Sequence, residues 1–147
     1  MATENAKARL QTLLALLRAM QLMHHTAHWQ VKGPSFVGDH ALFGDLYSEL
    51  LEEADGLAEK MVYMFGEDVV SADDQLTRLM SICRTSLEQK DLFQRALHME
   101  EWLQKVIEGV RSALEAEMLM NNGLENYLQG LADTHQTACF KLKQRTR

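Results

Sequence analysis

Apolar residues in four long stretches of this 147-residue chain return every three or four positions, and no stretch alternates apolar with polar. That period belongs to helices with a buried face. Helix A is expected from about Asn5 to Val31, with the stripe Leu10, Leu13, Leu14, Leu17, Met20, His24, His28 and Val31. Gly33 is the expected C-cap, Pro34 stops continuation, and Ser35 is placed to cap the next start with Asp39 near the positive end of its dipole. Helix B is expected from about Phe36 to Phe65, ending at Gly66. It carries two stripes, one through His40, Phe43, Tyr47, Leu50, Ala54 and Leu57, the other through Gly44, Ser48, Leu51, Asp55, Ala58 and Val62. A helix apolar or small on two sides buries more than one face, and the second is free to meet another subunit.

Residues 67–74 read as an acidic loop, followed by a short helix from about Gln75 to Ser86. Asp91-Leu-Phe-Gln94 has capping-box spacing and opens helix C, which runs to about Met120 through Phe93, Leu97, Leu103, Val106, Val110 and Leu114. Asn121-Asn122-Gly123 ends it, and helix D follows through Leu124, Leu128, Leu131, His135 and Leu142. A helix of about thirty residues is about 45 Å long. A connection of roughly twenty-five residues, half of them helical, crosses that distance. Helix C therefore runs parallel to helix B, and D antiparallel to C. The expected fold is all-α, a ferritin-like four-helix bundle with a long B–C crossover carrying a short helix.

Length predicts one domain over residues 1–147, and 46% hydrophobic with 24% charged residues is an ordinary globular balance. A net charge of −6 argues against nucleic-acid binding through a broad basic face. The start carries Glu4 rather than a positive, then apolar, leader, and no run is apolar enough to span a membrane, so the expectation is cytoplasmic. Cys83 and Cys139 form no CxxC and are expected as reduced thiols.

The chemistry concentrates in His28-Trp29-Gln-Val-Lys-Gly-Pro-Ser-Phe36, then His40, Asp55 and Glu59. Alone, a histidine on an apolar stripe is most often a hydrogen-bonded core residue, and Asp55 and Glu59 beside Glu52 and Glu53 read as a solvated face. Together they weigh differently. Imidazole nitrogen with carboxylate oxygen suits iron, zinc or manganese. Asp55 lies on the stripe of small and apolar residues, and Glu59 one turn on repels it unless a cation lies between. Residues 40 and 55 are about 22 Å apart along a helix, too far to share an ion within one subunit. A shared site needs a second helix B, antiparallel across a two-fold axis.

With these residues at these spacings, the chain resembles the Dps family of ferritin-like mini-shells (DNA-binding proteins from starved cells). The motif covers residues 28–59, and the helical plan matches over nearly the whole chain. The resemblance implies a shell of twelve subunits around an iron cavity. It also implies ferroxidase sites between two-fold-related subunits, oxidising Fe(II) preferentially with hydrogen peroxide. His28 and His40 would come from one subunit and Asp55 and Glu59 from its mate. Trp29 matches the tryptophan beside the family's site, where it intercepts radicals.

Where the family usually carries another aspartate, one turn after the second histidine, this chain has Gly44, and Asp45 points about 100° away. One strong and one weak iron site per centre follow, with His24 as a replacement ligand and no role for His25. The segment matching the family's three-fold pore, Met118 to Glu125, is nearly neutral. DNA binding rests on Lys141-Leu-Lys-Gln-Arg-Thr-Arg147, whose alternative reading is a helix end satisfying its dipole. An intra-bundle di-iron site needs Glu-x-x-His on two helices. The residues three before the six histidines are Gln21, Leu22, His25, Val37, Arg95 and Ala132, so that pattern is absent. The remaining alternative is a structural shell or interaction protein with degraded iron chemistry, for which Gly44 speaks.

Overall fold

A computed structural model describes residues 5–147; Glu4 lies outside them. Six α-helices follow in order: α1 Ala6–Gln30, α2 Phe36–Tyr47, α3 Leu50–Phe65, α4 Ala72–Ser86, α5 Leu92–Ala116 and α6 Asn122–Thr146, with a short 3-10 turn at Glu67–Val70. No strand is present among the described residues.

Local chemistry sets most boundaries. Asn5 caps α1 by accepting the Ala8 amide, Asp91 caps α5 by accepting those of Phe93 and Gln94, and Asn121 caps α6 by accepting that of Leu124. The crossover helix starts at Ala72, earlier than expected. Ser71 caps it by accepting the Asp74 amide, and Asp73 and Asp74 favour the dipole's positive end. Helix α5 stops at Ala116, short of Met120. Met118 takes the left-handed conformation, φ 56°, and Leu119 N–H donates back to the Leu114 carbonyl at 2.8 Å, closing the helix. Gly33 does not cap α1, whose C-cap is the extended Val31. At φ 98° it instead turns the chain into α2, its carbonyl accepting the Phe36 amide at 3.0 Å.

The expected single helix B is two helices, α2 and α3. Ser48 and Glu49 stay in the helical region, and Ser48 N–H still reaches the Gly44 carbonyl at 3.2 Å, so the break is a kink. Glycine and serine one turn apart supply its cause, with the Ser48 hydroxyl leaning on the Asp45 carbonyl at 3.4 Å.

Helix α1 is the central element, packing against α2, α3, α4 and α5, while α6 lies along α5. The core divides into two apolar clusters. One gathers Leu10 to Met23 of α1, Leu50 to Met61 of α3, Met99 to Leu114 of α5 and Leu124 to Leu131 of α6. The other gathers Ala27 and Val31, Phe43 and Leu46, Ala96 and Leu97, and Leu142. Along the chain, α1 and α6 pass from the first cluster to the second, whereas α2–α3 and α5 pass the other way. The second and third bundle helices are therefore parallel, as the crossover length predicts. At the boundary each helix contributes one polar residue: His24, Glu53, Glu100 and His135.

Candidate metal centre

His28 closes the last turn of α1 and His40 stands in the second turn of α2, joined by residues 31–35. This hairpin brings the two rings face to face, with centroids 3.6 Å apart and planes 19° apart. Each Nδ1 lies 2.7 Å from the other residue's backbone carbonyl. A carbonyl only accepts, so both Nδ1 atoms carry a proton, and in the neutral rings it is Nε2 that keeps the lone pair. A hydrogen bond of this kind on the far nitrogen is what orients a metal-ligating histidine. Both rings are half-buried, and Phe36 stacks on His40 at 4.9 Å.

Gly44 leaves room for His28. A Cβ there would sit 3.4 Å from His28 Cε1, in ordinary contact, so an acid at this position would stand directly beside the imidazole.

Asp55 and Glu59 lie on α3 and are exposed, together with Ser48 and Leu51 of the same face. They are not brought to the histidines within the chain. Among the described residues no three His, Cys, Asp or Glu side chains stand ready to hold a metal ion. The face expected to meet a second copy of helix B is thus open and carries both acids, with Leu51 left 57% exposed.

His24 is a correction. It is expected to help His28, but its ring is 1% exposed, and Nε2 is held by Glu100 at 3.0 Å inside the bundle. Side chains one turn apart need only a modest ring rotation to part company, and the buried acid directs this one inward. Trp29 is 65% exposed and packs at 4.1 Å against His25, which stacks on Tyr47 at 4.0 Å. Tyr47 stands edge-on to His28 at 5.2 Å. His25, given no role from sequence, is the ring linking Trp29 to this group.

Sequence reading missed Glu53 and Glu100. Glu100 is fully buried, its carboxylate accepting from His24 at 3.0 Å and from His135 Nδ1 at 2.6 Å, while His135 Nε2 reaches Glu53 at 3.0 Å. Burial opposes ionisation of Glu100, yet hydrogen bonds from His135 and His24 outweigh it and hold the carboxyl below its ordinary range. Burial alone would lower His135, but its bonds to Glu100 and Glu53 push it up to about 10. The signal available in the sequence was the gap between Leu97 and Leu103 in the α5 stripe, which Glu100 fills.

The basic C-terminus is the end of α6. Arg145 forks onto Asp39 at 2.9 and 3.0 Å, Lys143 lies 3.5 Å from Glu101 and Lys141 3.8 Å from Asp45. Three of the four cations there face carboxylates of the same chain, an arrangement closer to a helix end than to a phosphate-binding tail.

Among the described residues no helix is long and apolar enough to cross a membrane. The family model for a ferritin-like domain matches residues 7–142. The chain is 30% identical over 95 residues to the DNA protection during starvation protein of Helicobacter pylori, covering 63% of this chain and 66% of that one. It is 32% identical over 73 residues to the protein of that name from Brevibacillus brevis, covering 44% and 49%. These alignments span less than two thirds of either relative's length. The structure of Dps from Thermosynechococcus elongatus superposes with a TM-score of 0.80 at 21% identity, covering 97% of this chain and 90% of that one, which is likeness of fold. With a family match over nearly its whole length and Dps proteins among its relatives, this chain belongs to the ferritin-like family, on its Dps branch.

Proposed function

We propose that this protein oxidises and stores iron, using hydrogen peroxide as the preferred oxidant, at centres formed between paired copies of one ferritin-like domain. The observation that carries this reading is the reciprocal His28–His40 clasp, which leaves two Nε2 lone pairs free on neighbouring rings. Asp55 and Glu59 on the open face of α3 supply the oxygen donors of the mate. Neutral imidazoles with carboxylates hold Fe(II) and favour Fe(III), and an incomplete ligand set leaves positions for the oxidant. One peroxide accepts one electron from each of two Fe(II) ions, its O–O bond breaks, and two hydroxides or waters leave, so no hydroxyl radical is released. The ferric product is stored inside a closed shell, twelve copies by family likeness, and Trp29 and its ring neighbours intercept any stray oxidising equivalent. Gly44 leaves the second iron of each centre weakly held. DNA protection, named for the relatives, is achieved here mainly by removing iron and peroxide.

Gly44 also favours a second reading, a shell whose iron chemistry has decayed. Stopped-flow absorbance after mixing Fe(II)-loaded protein with peroxide separates the two. Oxidation well above the buffer rate, lost in an assembled His28→Ala variant, is expected. An intact shell giving no acceleration over buffer would establish the second reading.

A further inference from the structure

The crossover helix α4 buries one side and leaves the other bare. Ile82 and Cys83 turn into the core, whereas Leu76 and Met80 are 61% and 53% exposed. At 100° per residue, Asp73, Leu76, Thr77, Met80 and Arg84 fall within an arc of about 100° on the outer side of the helix. A groove of about 650 Å³ runs along them. Apolar surface rimmed by charge in this way marks a protein contact.

We infer that this stripe packs antiparallel against the same stripe of a second copy, across the two-fold axis that pairs the subunits. The inference rests on the paired copies of the proposed function and adds the contact that holds them together. Its basis is self-complementarity. A two-fold axis through the middle of the stripe sets Asp73 against the partner's Arg84, and Thr77 against the partner's Met80. Leu76 then lies beside the partner's Met80, so the apolar residues meet at the centre and an ion pair closes each end. Glu88 lies beyond the helix end at Ser86 and outside this overlap. Among the described residues neither Asp73 nor Arg84 has an ion-pair partner within the chain. The neighbouring Asp74 and Arg78 are engaged at home, with each other at 3.1 Å and with Thr12 of α1 at 2.9 Å. Parallel packing would set Asp73 against its own copy and Arg84 against its own, so charge selects the antiparallel arrangement.

The stripe also continues the open face already described. Helix α1 packs against both α3 and α4, and its own Leu22 is 48% exposed. The face of α3 is a poor adhesive by itself, since exposed Glu52, Asp55 and Glu59 surround one exposed leucine, Leu51. Pairing through α4 supplies apolar burial and opposite charges that this acidic face lacks. The copies are thus held together before any cation neutralises the acids between them.

A charge-reversal cycle on chelator-treated full-length protein tests this. Subunit dissociation is followed by sedimentation over a dilution series, in sub-denaturing urea where the parent assembly is too tight to dilute apart. Asp73→Lys and Arg84→Glu each set like charges together at both ends of the contact. Each is expected to weaken pairing about tenfold at low salt and less at high salt, with helix content unchanged by circular dichroism. The combined Asp73→Lys/Arg84→Glu restores opposite charges and is expected to recover most of the loss. Within a single chain both reversals oppose the α4 dipole, so a role confined to the chain would make the combined variant the weakest of the three. Single variants that pair like the parent, or a combined variant weaker than both, overturn the inference and leave this face to another occupant. Because no iron enters the measurement, failure of iron oxidation in the parent leaves the result standing. Dissociation by Leu51→Arg without coupling between Asp73 and Arg84 would keep the pairing through α3 and remove the α4 contact alone.

Discussion

His135 makes the stability of the metal-free protein depend on pH in a way that can be worked out beforehand. Its pKa rises from 6.5 to about 10 on folding, because two carboxylates hold the imidazolium inside the bundle. A group whose folded pKa lies above its unfolded value stabilises fully below the unfolded pKa, and that contribution is lost as pH rises through the folded one. At 1.36 kcal/mol per unit, the loss between pH 7 and pH 9 is about 2–3 kcal/mol. The window stays below the titration of Cys139, whose thiol burial pushes up to about 11, with Glu100 and Glu101 adding to the rise. Urea unfolding of chelator-treated protein at pH 7, 8 and 9, at one protein concentration, measures the slope. His135→Gln should be less stable at pH 7 and should flatten the profile. Equal slopes in the two proteins would refute the assignment of the buried imidazolium.

Three other perturbations have definite expectations. Gly44→Asp should raise bound iron from one toward two per centre in anaerobic Fe(II) titration, since its Cβ would meet His28 at an ordinary 3.4 Å, and stability should change by less than about 0.5 kcal/mol. Leu51→Arg should keep the helix content seen by circular dichroism while native mass falls, because Leu51 is 57% exposed on the face assigned to a second copy; an unchanged mass would place the interface elsewhere. Arg145→Ala strands the buried Asp39 carboxylate and should cost about 1–3 kcal/mol, read as a lower urea midpoint.

The helical plan was legible because each bundle helix keeps its apolar period for several turns, and caps such as Asn5 and Asp91 announce their ends. The parallel second and third helices followed from connection length alone. The kink at Ser48–Glu49 was hidden, since every residue there tolerates a helix and the bend depends on a side chain leaning on its own backbone. His28, His40, Asp55 and Glu59 stood out by type and spacing, and within one chain only His28 and His40 come together, while the acids stay on an unburied face. Glu100 was missed because glutamate on a helix reads as solvated; only its place in the apolar stripe betrayed it. His24 was misassigned because its partner lies 76 residues further along, beyond any local pattern.

The five-residue turn between the first two helices does more than reverse the chain. Since each imidazole carries its Nδ1 proton on the side facing the opposite helix's carbonyl, the turn's length sets that orientation in both rings. An inserted residue at Lys32 or Ser35, touching no ion, would release that choice and let the rings present hydrogens where lone pairs are wanted. In the proposed centre, metal affinity would thus be set from a surface loop, by spacing alone.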